Sequence, residues 1–143
     1  MISTETKAAF DSAAQYFAQP IQQFQYFDKY SRFDYAKGRR ETWPETCDRA
    51  VTFLRDLIKV NVKGLDAEQI NELAKQVIGE TERQALLHMQ ALPSMRTIAM
   101  AGEAASRQNI CTFNCAYLPI CDTRAYSEAL LISMSGCGVG FSV

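Results

Sequence analysis

The C-terminal third of the chain holds the side chains best suited to chemistry, the cysteines Cys111, Cys115 and Cys121. Their C-x3-C-x5-C spacing lacks the paired C-x2-C knuckles and the downstream histidines of a tetrahedral zinc site, so it predicts no metal. Residues four apart on an extended strand lie about 13 Å apart, whereas a disulfide needs Cα atoms within about 7 Å. Cys111 and Cys115 therefore cannot pair within one strand, and any redox partner of Cys115 must come from elsewhere.

Alternating glycines follow in the stretch GCGVG, which contains Gly136, Gly138 and Gly140. A backbone without side chains can approach a ligand closely and donate N–H groups to phosphate oxygens. The stretch is not the six-residue dinucleotide fingerprint, and no Gly-Lys-Ser/Thr follows it. A ligand-binding backbone and a tight bend into a strand both remain open.

A β-α-β unit is predicted to carry these residues. The stretch ICTFNCAYLPI is β-branched and aromatic, which predicts a strand from about Ile110 to Leu118. Asp122 can cap the helix formed by TRAYSEALLISMS, and GCGVGFSV then enters a second strand. A parallel crossover of this kind leaves strand edges unpaired, so we expect the chain to be the front of a larger fold.

The preceding residues predict a helical region. One helix is expected from Thr4 to about Gln19, before Pro20 and a segment of aromatic residues assigned to the core or to a subunit contact. A second begins at a capping box of Thr42 and Glu45, and a third begins after Asp66 and can bend at Gly79. His88 is interpreted as a helix-end histidine without a chemical role. We therefore predict domains at residues 1–92 and 93–143.

Composition narrows the possible partners. The formal net charge is −1, without the basic surface typical of nucleic-acid binders, so no DNA binding is expected. The first residues, MISTETKAAFDSAAQYF, have neither the basic nor the apolar region of a signal peptide, and no apolar run reaches the length of a membrane span. The sequence indicates a cytoplasmic protein, of a cell or of an infected host, with reduced thiols.

Four short blocks, taken in order, resemble a known family. LPSMR, NCAYLPI, Asp122 with its helix, and GCGVGFSV look like the N-terminal part of the ribonucleotide reductase catalytic subunit. The upstream stretch YSRFDYAKGRRETWPETCDRAV is similar to the entry segment of the adenosylcobalamin-dependent (class II) reductases, especially the monomeric triphosphate-reducing kind. The resemblance spans roughly residues 30–143. It implies that residues 93–143 begin a ten-stranded α/β barrel.

The resemblance also implies roles for individual residues. Cys115 matches the first-strand cysteine that is oxidised to a disulfide as the substrate's 2′-hydroxyl leaves. Ser94 and Asn114 match positions that hold the phosphates and ribose, and Gly138 matches a glycine that lines the substrate site. Asp122 matches a carboxylate that recognises the ribose of a deoxynucleotide effector. Asp122 is also an adequate helix cap, and Cys115 could be a small buried apolar residue.

The remaining cysteines, Cys111, Cys121 and Cys137, are interpreted as structural. The thiyl-radical cysteine, the second redox cysteine, an acidic residue and the adenosylcobalamin-binding face of such an enzyme would lie on another polypeptide. We therefore expect one half of a split, viral reductase, completed by a C-terminal chain and reduced by a thioredoxin-like protein.

Other interpretations remain open. The radical could come from a metal-containing partner subunit instead of adenosylcobalamin. The chain could also be a non-catalytic module for effector binding or assembly, or an inert truncated product with an exposed apolar patch.

Overall fold

The computed structural model describes residues 4–142 and has a mixed α/β fold in which helices predominate. These residues form two compact units that divide after Ala99. The described part of the chain contains small sheets and no closed barrel. None of its helices combines the length and apolar character needed to cross a membrane.

The first unit is built from helices and one short hairpin. Its elements, in chain order, are α1 (Thr4–Ala13), α2 (Pro20–Lys29), β1 (Phe33–Asp34), β2 (Arg39–Arg40), α3 (Trp43–Asn61), α4 (Ala67–Val77), α5 (Glu80–Leu87) and most of α6 (Met95–Met100). The strands β1 and β2 are antiparallel. The predicted helix to Gln19 is too long, because α1 ends at Ala13 and Pro20 starts a separate helix that contains the first aromatic residues.

Two predicted helix starts are confirmed by their hydrogen bonds. At the start of α3, the Glu45 carboxylate accepts the backbone N–H of Thr42 at 2.8 Å. At the start of α4, the Asp66 carboxylate accepts the N–H of Gln69 at 2.9 Å, and the Gln69 side chain accepts the N–H of Asp66 at 3.1 Å. Both arrangements satisfy N–H groups that the first turn of a helix leaves unpaired.

The predicted bend at Gly79 is a complete break. The helix α4 ends at Val77, and Gly79 has an extended backbone with φ −94° and ψ −159°. Its N–H donates to the Glu82 carboxylate at 2.7 Å, so Glu82 in the first turn stabilises the start of α5 as a new helix.

Aromatic rings fill the centre of the first unit. Phe17, Tyr26 and Trp43 contact one another with ring centroids 5.1–5.6 Å apart. The Trp43 indole N–H donates to the Leu87 carbonyl at 2.9 Å, which ties α3 to the end of α5. The unit also buries these apolar side chains: Ala9, Ala13, Phe27, Cys47, Ala50, Val51, Ala74, Leu86, Ile98 and Ala99.

A largely buried ion pair joins separate segments of this unit. The Nε of Arg49 donates to both carboxylate oxygens of Glu41, at 2.9 and 3.1 Å. Its terminal nitrogens donate to the carbonyls of Ile98 at 3.0 Å and Tyr30 at 3.2 Å. One guanidinium therefore links α3 to three other parts of the chain.

The second unit contains the β-α-β arrangement. Its elements are α7 (Glu103–Arg107), a 3₁₀ turn (Asn109–Thr112), β3 (Cys115–Pro119), α8 (Arg124–Met134) and β4 (Gly138–Ser142). The strands β3 and β4 are parallel, and α8 contacts both of them. The predicted strand from Ile110 begins too early, since the 3₁₀ turn occupies its first residues and extended pairing starts at Cys115.

Candidate functional site

Three of the predicted site residues lie together where β3 and β4 begin. Cys115 and Gly138 are Cα partners in the parallel register. The N–H of Gly138 donates to the carbonyl of Asn114 at 2.9 Å. The sequence separates Asn114 and Cys115 from Gly138 by more than twenty residues, and the strand pairing makes them neighbours.

One face of this two-stranded sheet is exposed. Along β3, Cys115, Tyr117 and Pro119 are exposed, while Ala116 and Leu118 are half-buried. This alternation follows from the period of two in a strand, and α8 accounts for the covered face. We call the exposed side the thiol face; it consists of Cys115, Tyr117, Pro119, Gly138, Gly140 and Ser142.

Glycine leaves bare backbone next to the thiol. A Cβ atom added at Gly138 would have one non-neighbouring atom within 4 Å, the Asn114 carbonyl oxygen at 3.5 Å. At Gly140, an added Cβ would lie 3.8 Å from Cδ2 of Tyr117. The surface beside Cys115 is therefore open over Gly138, and the Tyr117 ring borders it at Gly140.

Tyr117 is held in place on this face. Its hydroxyl donates to the Ser142 hydroxyl oxygen at 2.6 Å, across the two strands. The residue nevertheless remains 67% exposed. Neither residue was a candidate in the sequence, although counting two residues on from Cys115 along the predicted strand identifies Tyr117 as its neighbour on the same face.

The cysteines occupy contrasting environments. All five are free thiols, with Cys115 and Cys121 exposed and Cys47 and Cys137 buried. Burial in the first unit raises the pKa of the Cys47 thiol to about 12. Cys111 is half-buried, with its sulfur 3.0 Å from the Gln108 carbonyl oxygen. Of these thiols, only that of Cys115 belongs to the thiol face.

Asp122 lies beyond the opposite end of β3 from Cys115. Its carboxylate accepts the N–H of Ala125 at 3.1 Å through one oxygen, so it caps α8 as predicted. The residue itself is exposed. An effector role for Asp122 stays a prediction.

Ser94 belongs to the first unit, whereas the other predicted site residues belong to the second. It is exposed, and its carbonyl accepts the N–H of Ile98 at 3.1 Å, directly before α6. Its proposed contact with substrate phosphate therefore stays a prediction.

Within residues 4–142, no group of three or more His, Cys, Asp or Glu side chains is placed to hold a metal ion.

Comparisons with models of protein families, with curated proteins and with solved structures find no match to this chain.

Proposed function

We propose that the chain is an N-terminal part of a ribonucleotide reductase catalytic subunit, acting in the cytoplasm. The observation that carries the proposal is the pairing of an exposed thiol, Cys115, with Gly138 on an open strand face. The motifs in LPSMR, NCAYLPI and GCGVGFSV support the same assignment. In this proposal β3, α8 and β4 are the first β-α-β unit of the ten-stranded reductase barrel.

Cys115 would supply one half of a two-electron reduction. Two thiols become one disulfide, and the substrate's 2′-hydroxyl leaves as water after receiving a proton. The ribonucleotide gains a hydrogen at C2′ and becomes a deoxyribonucleotide. A thioredoxin-like dithiol then restores both thiols by exchange.

In this proposal the second thiol comes from another polypeptide. The other positions of the thiol face are tyrosine, proline, glycine and serine, so no second cysteine of the described residues stands beside Cys115 there. We propose that a C-terminal reductase chain contributes this cysteine and the cysteine that carries the thiyl radical.

The surface of the second unit supports an additional partner. Its buried apolar side chains, among the described residues, are small: Ala101, Ala105, Ala125 and Cys137. Large ones outside the thiol face are more than half exposed: Phe113, Tyr126, Leu130, Leu131, Met134 and Phe141. A parallel sheet is normally covered on both faces and extended by further strands. Additional barrel strands and helices would bury these side chains.

The bound nucleotide would lie over the glycines. Gly138 offers bare backbone for a sugar, and Asn114 adjoins Cys115. A phosphate contact of Ser94 is proposed from the resemblance alone. Asp122 would accept a hydrogen bond from a sugar hydroxyl of a deoxynucleotide effector at the start of α8.

Adenosylcobalamin would supply the radical in the class II form of this proposal. In this proposal it would be bound mainly by the completing chain. The alternative radical source is a metal-containing partner subunit.

The decisive experiment combines this chain with the completing reductase polypeptide and measures deoxynucleotide formation with a dithiol reductant. We expect Cys115→Ser to abolish turnover and Cys121→Ser, the matched exposed thiol, to retain it. Adding adenosylcobalamin or a metal-loaded subunit identifies the radical source. Full activity of the completing polypeptide alone would overturn the proposal.

A second candidate, a non-catalytic module for effector binding or assembly, is favoured by the exposed carboxylate of Asp122 at the start of α8. In that case Cys115→Ser leaves the assembled complex active, while Asp122→Asn abolishes its response to deoxynucleotides. If the chain is inert, neither substitution changes the activity of the complex or its response to deoxynucleotides.

A further inference from the structure

We propose that Tyr117 positions the substrate by supporting its nucleobase next to Cys115. This inference rests on the proposed function and deepens it by assigning the base-binding part of the thiol face. Neither the motifs nor the resemblance identifies a role for this tyrosine.

The position of Tyr117 fits that role. It follows Cys115 by two residues on the same strand face, about 6.6 Å further along β3. The Tyr117 ring borders the thiol face at Gly140, the second residue along β4 from Gly138. In this proposal the sugar lies over Gly138 and the base extends along the strands to that ring. The spacing of thiol and ring thus matches a ligand with a sugar at one end and a flat ring at the other.

The side chain is also suited to stacking. Its hydroxyl is bonded to Ser142, so the ring is restrained before a ligand arrives, while most of the residue is exposed. A restrained aromatic ring loses little conformational freedom on binding, and aromatic rings stack on all nucleobases. Tyr117 would therefore contribute affinity without selecting one base.

Chemical labelling of Cys115 provides the test. The complete 143-residue chain is treated with iodoacetamide, and alkylation of each cysteine is followed by peptide mass spectrometry as ADP or ribose 5-phosphate is added. ADP has a base and ribose 5-phosphate has none, while both carry the sugar phosphate. Exposed Cys121 reports any direct effect of the ligands on the reagent.

We expect ADP to slow alkylation of Cys115 but not of Cys121. Tyr117→Ala should raise the ADP concentration needed for half-protection about tenfold, the loss expected for one stacked base. Protection by ribose 5-phosphate should change less than about twofold. Tyr117→Phe, which keeps the ring, should stay within about threefold of the native chain.

The control variant is Tyr126→Ala, which removes an exposed tyrosine of α8 outside the thiol face. In this variant ADP should protect Cys115 as well as it does in the native chain, and circular dichroism verifies that each variant is folded.

If ADP protects Cys115 equally in the native chain and in Tyr117→Ala, the inference is wrong and the proposed function stands. An equal loss of protection by both ligands in Tyr117→Ala also contradicts base stacking. If ADP never protects Cys115, this chain does not hold a nucleotide over the thiol face and the inference is wrong, whereas the proposed function is decided by the assembly experiment with the completing polypeptide.

Discussion

Cys115 and Gly138 face each other across β3 and β4 as Cα partners of a parallel pair. The pairing places a redox-capable side chain beside the residue type that leaves most room above the backbone. A ligand that lies on the thiol face beside the Cys115 sulfur therefore finds open backbone at Gly138.

Gly138→Ala should therefore weaken ligand binding at Cys115 while leaving the stability of the fold nearly unchanged. The new Cβ would lie 3.5 Å from the Asn114 carbonyl oxygen, an ordinary van der Waals distance, so stability should change by less than about 0.5 kcal/mol. The same methyl group would displace a ligand from the backbone, and ADP protection of Cys115 should weaken about tenfold. Alkylation kinetics and urea unfolding measure the two effects.

A matched variant for this test is Ser127→Ala, which changes an exposed residue of α8. It should alter neither protection nor stability. Unchanged protection in folded Gly138→Ala would show that ligands do not approach Cys115 over this glycine.

Arg49→Met should strongly destabilise the first unit. The Arg49 and Glu41 side chains are only 17% and 14% exposed, so removing the guanidinium leaves a largely buried carboxylate without its ion pair. Breaking one partner of such a pair costs about 3 kcal/mol. Urea unfolding followed by circular dichroism measures this loss.

The comparison is Lys59→Met, which removes an exposed ion pair with Asp56 and should cost less than about 0.5 kcal/mol. Adding Glu41→Leu to Arg49→Met should recover part of the lost stability, because the unpaired carboxylate is then gone. Equal costs for Arg49→Met and Lys59→Met would contradict a structural role for the buried pair.

Features with local signals could be predicted from the sequence. The bond from the Thr42 N–H to Glu45 and the side-chain caps at Asp66 and Asp122 each join residues three positions apart, and all three are present. The β-α-β order was also predictable, because strand-forming and helix-forming residues alternate along the last thirty or so positions. The mixed α/β character of the chain follows from the same patterns.

Features that depend on distant partners could not be predicted. The register that pairs Cys115 with Gly138, and the bond from Tyr117 to Ser142, require two strands to be aligned. The bond from Arg49 to the Ile98 carbonyl spans 49 positions and has no signature in sequence. Helix and strand limits were also misplaced, since apolar spacing does not mark the residue at which backbone pairing stops.

Gly79→Ala should destabilise the first unit, although alanine is a better helix former than glycine. An added Cβ would lie 2.9 Å from the backbone carbonyl oxygen of Lys75, and that atom belongs to α4 and cannot move freely. We expect a loss of about 1 kcal/mol, measured by urea unfolding. Asn71→Ala, at an exposed position of α4, should change stability by less than about 0.5 kcal/mol. A gain in both helix content and stability in Gly79→Ala would show that the break between α4 and α5 is not required.

The Glu45 carboxylate is surrounded by donors at the start of α3. Arg39 donates to both of its oxygens at 2.8 and 2.9 Å, Lys37 donates at 2.6 Å, and the Thr42 N–H donates at 2.8 Å. These bonds, with that from Arg39 the strongest cause, hold the pKa of Glu45 well below its ordinary value of 4.5. Its charged form is thus favoured in the folded chain.

Glu45→Gln should therefore change how stability depends on pH. Because the folded pKa is the lower one, the unfolded chain binds more protons in acid, and the stabilisation is complete above about pH 4.5 and declines below it. At pH 7 the variant should be less stable than the native chain by about 1.5 kcal/mol, and the difference should shrink between about pH 4.5 and pH 3. Urea midpoints at pH 7, 5, 4 and 3 measure it, with exposed Glu72→Gln as the comparison variant. A difference that stays constant from pH 7 to pH 3 would mean that charge on Glu45 does not stabilise this helix start.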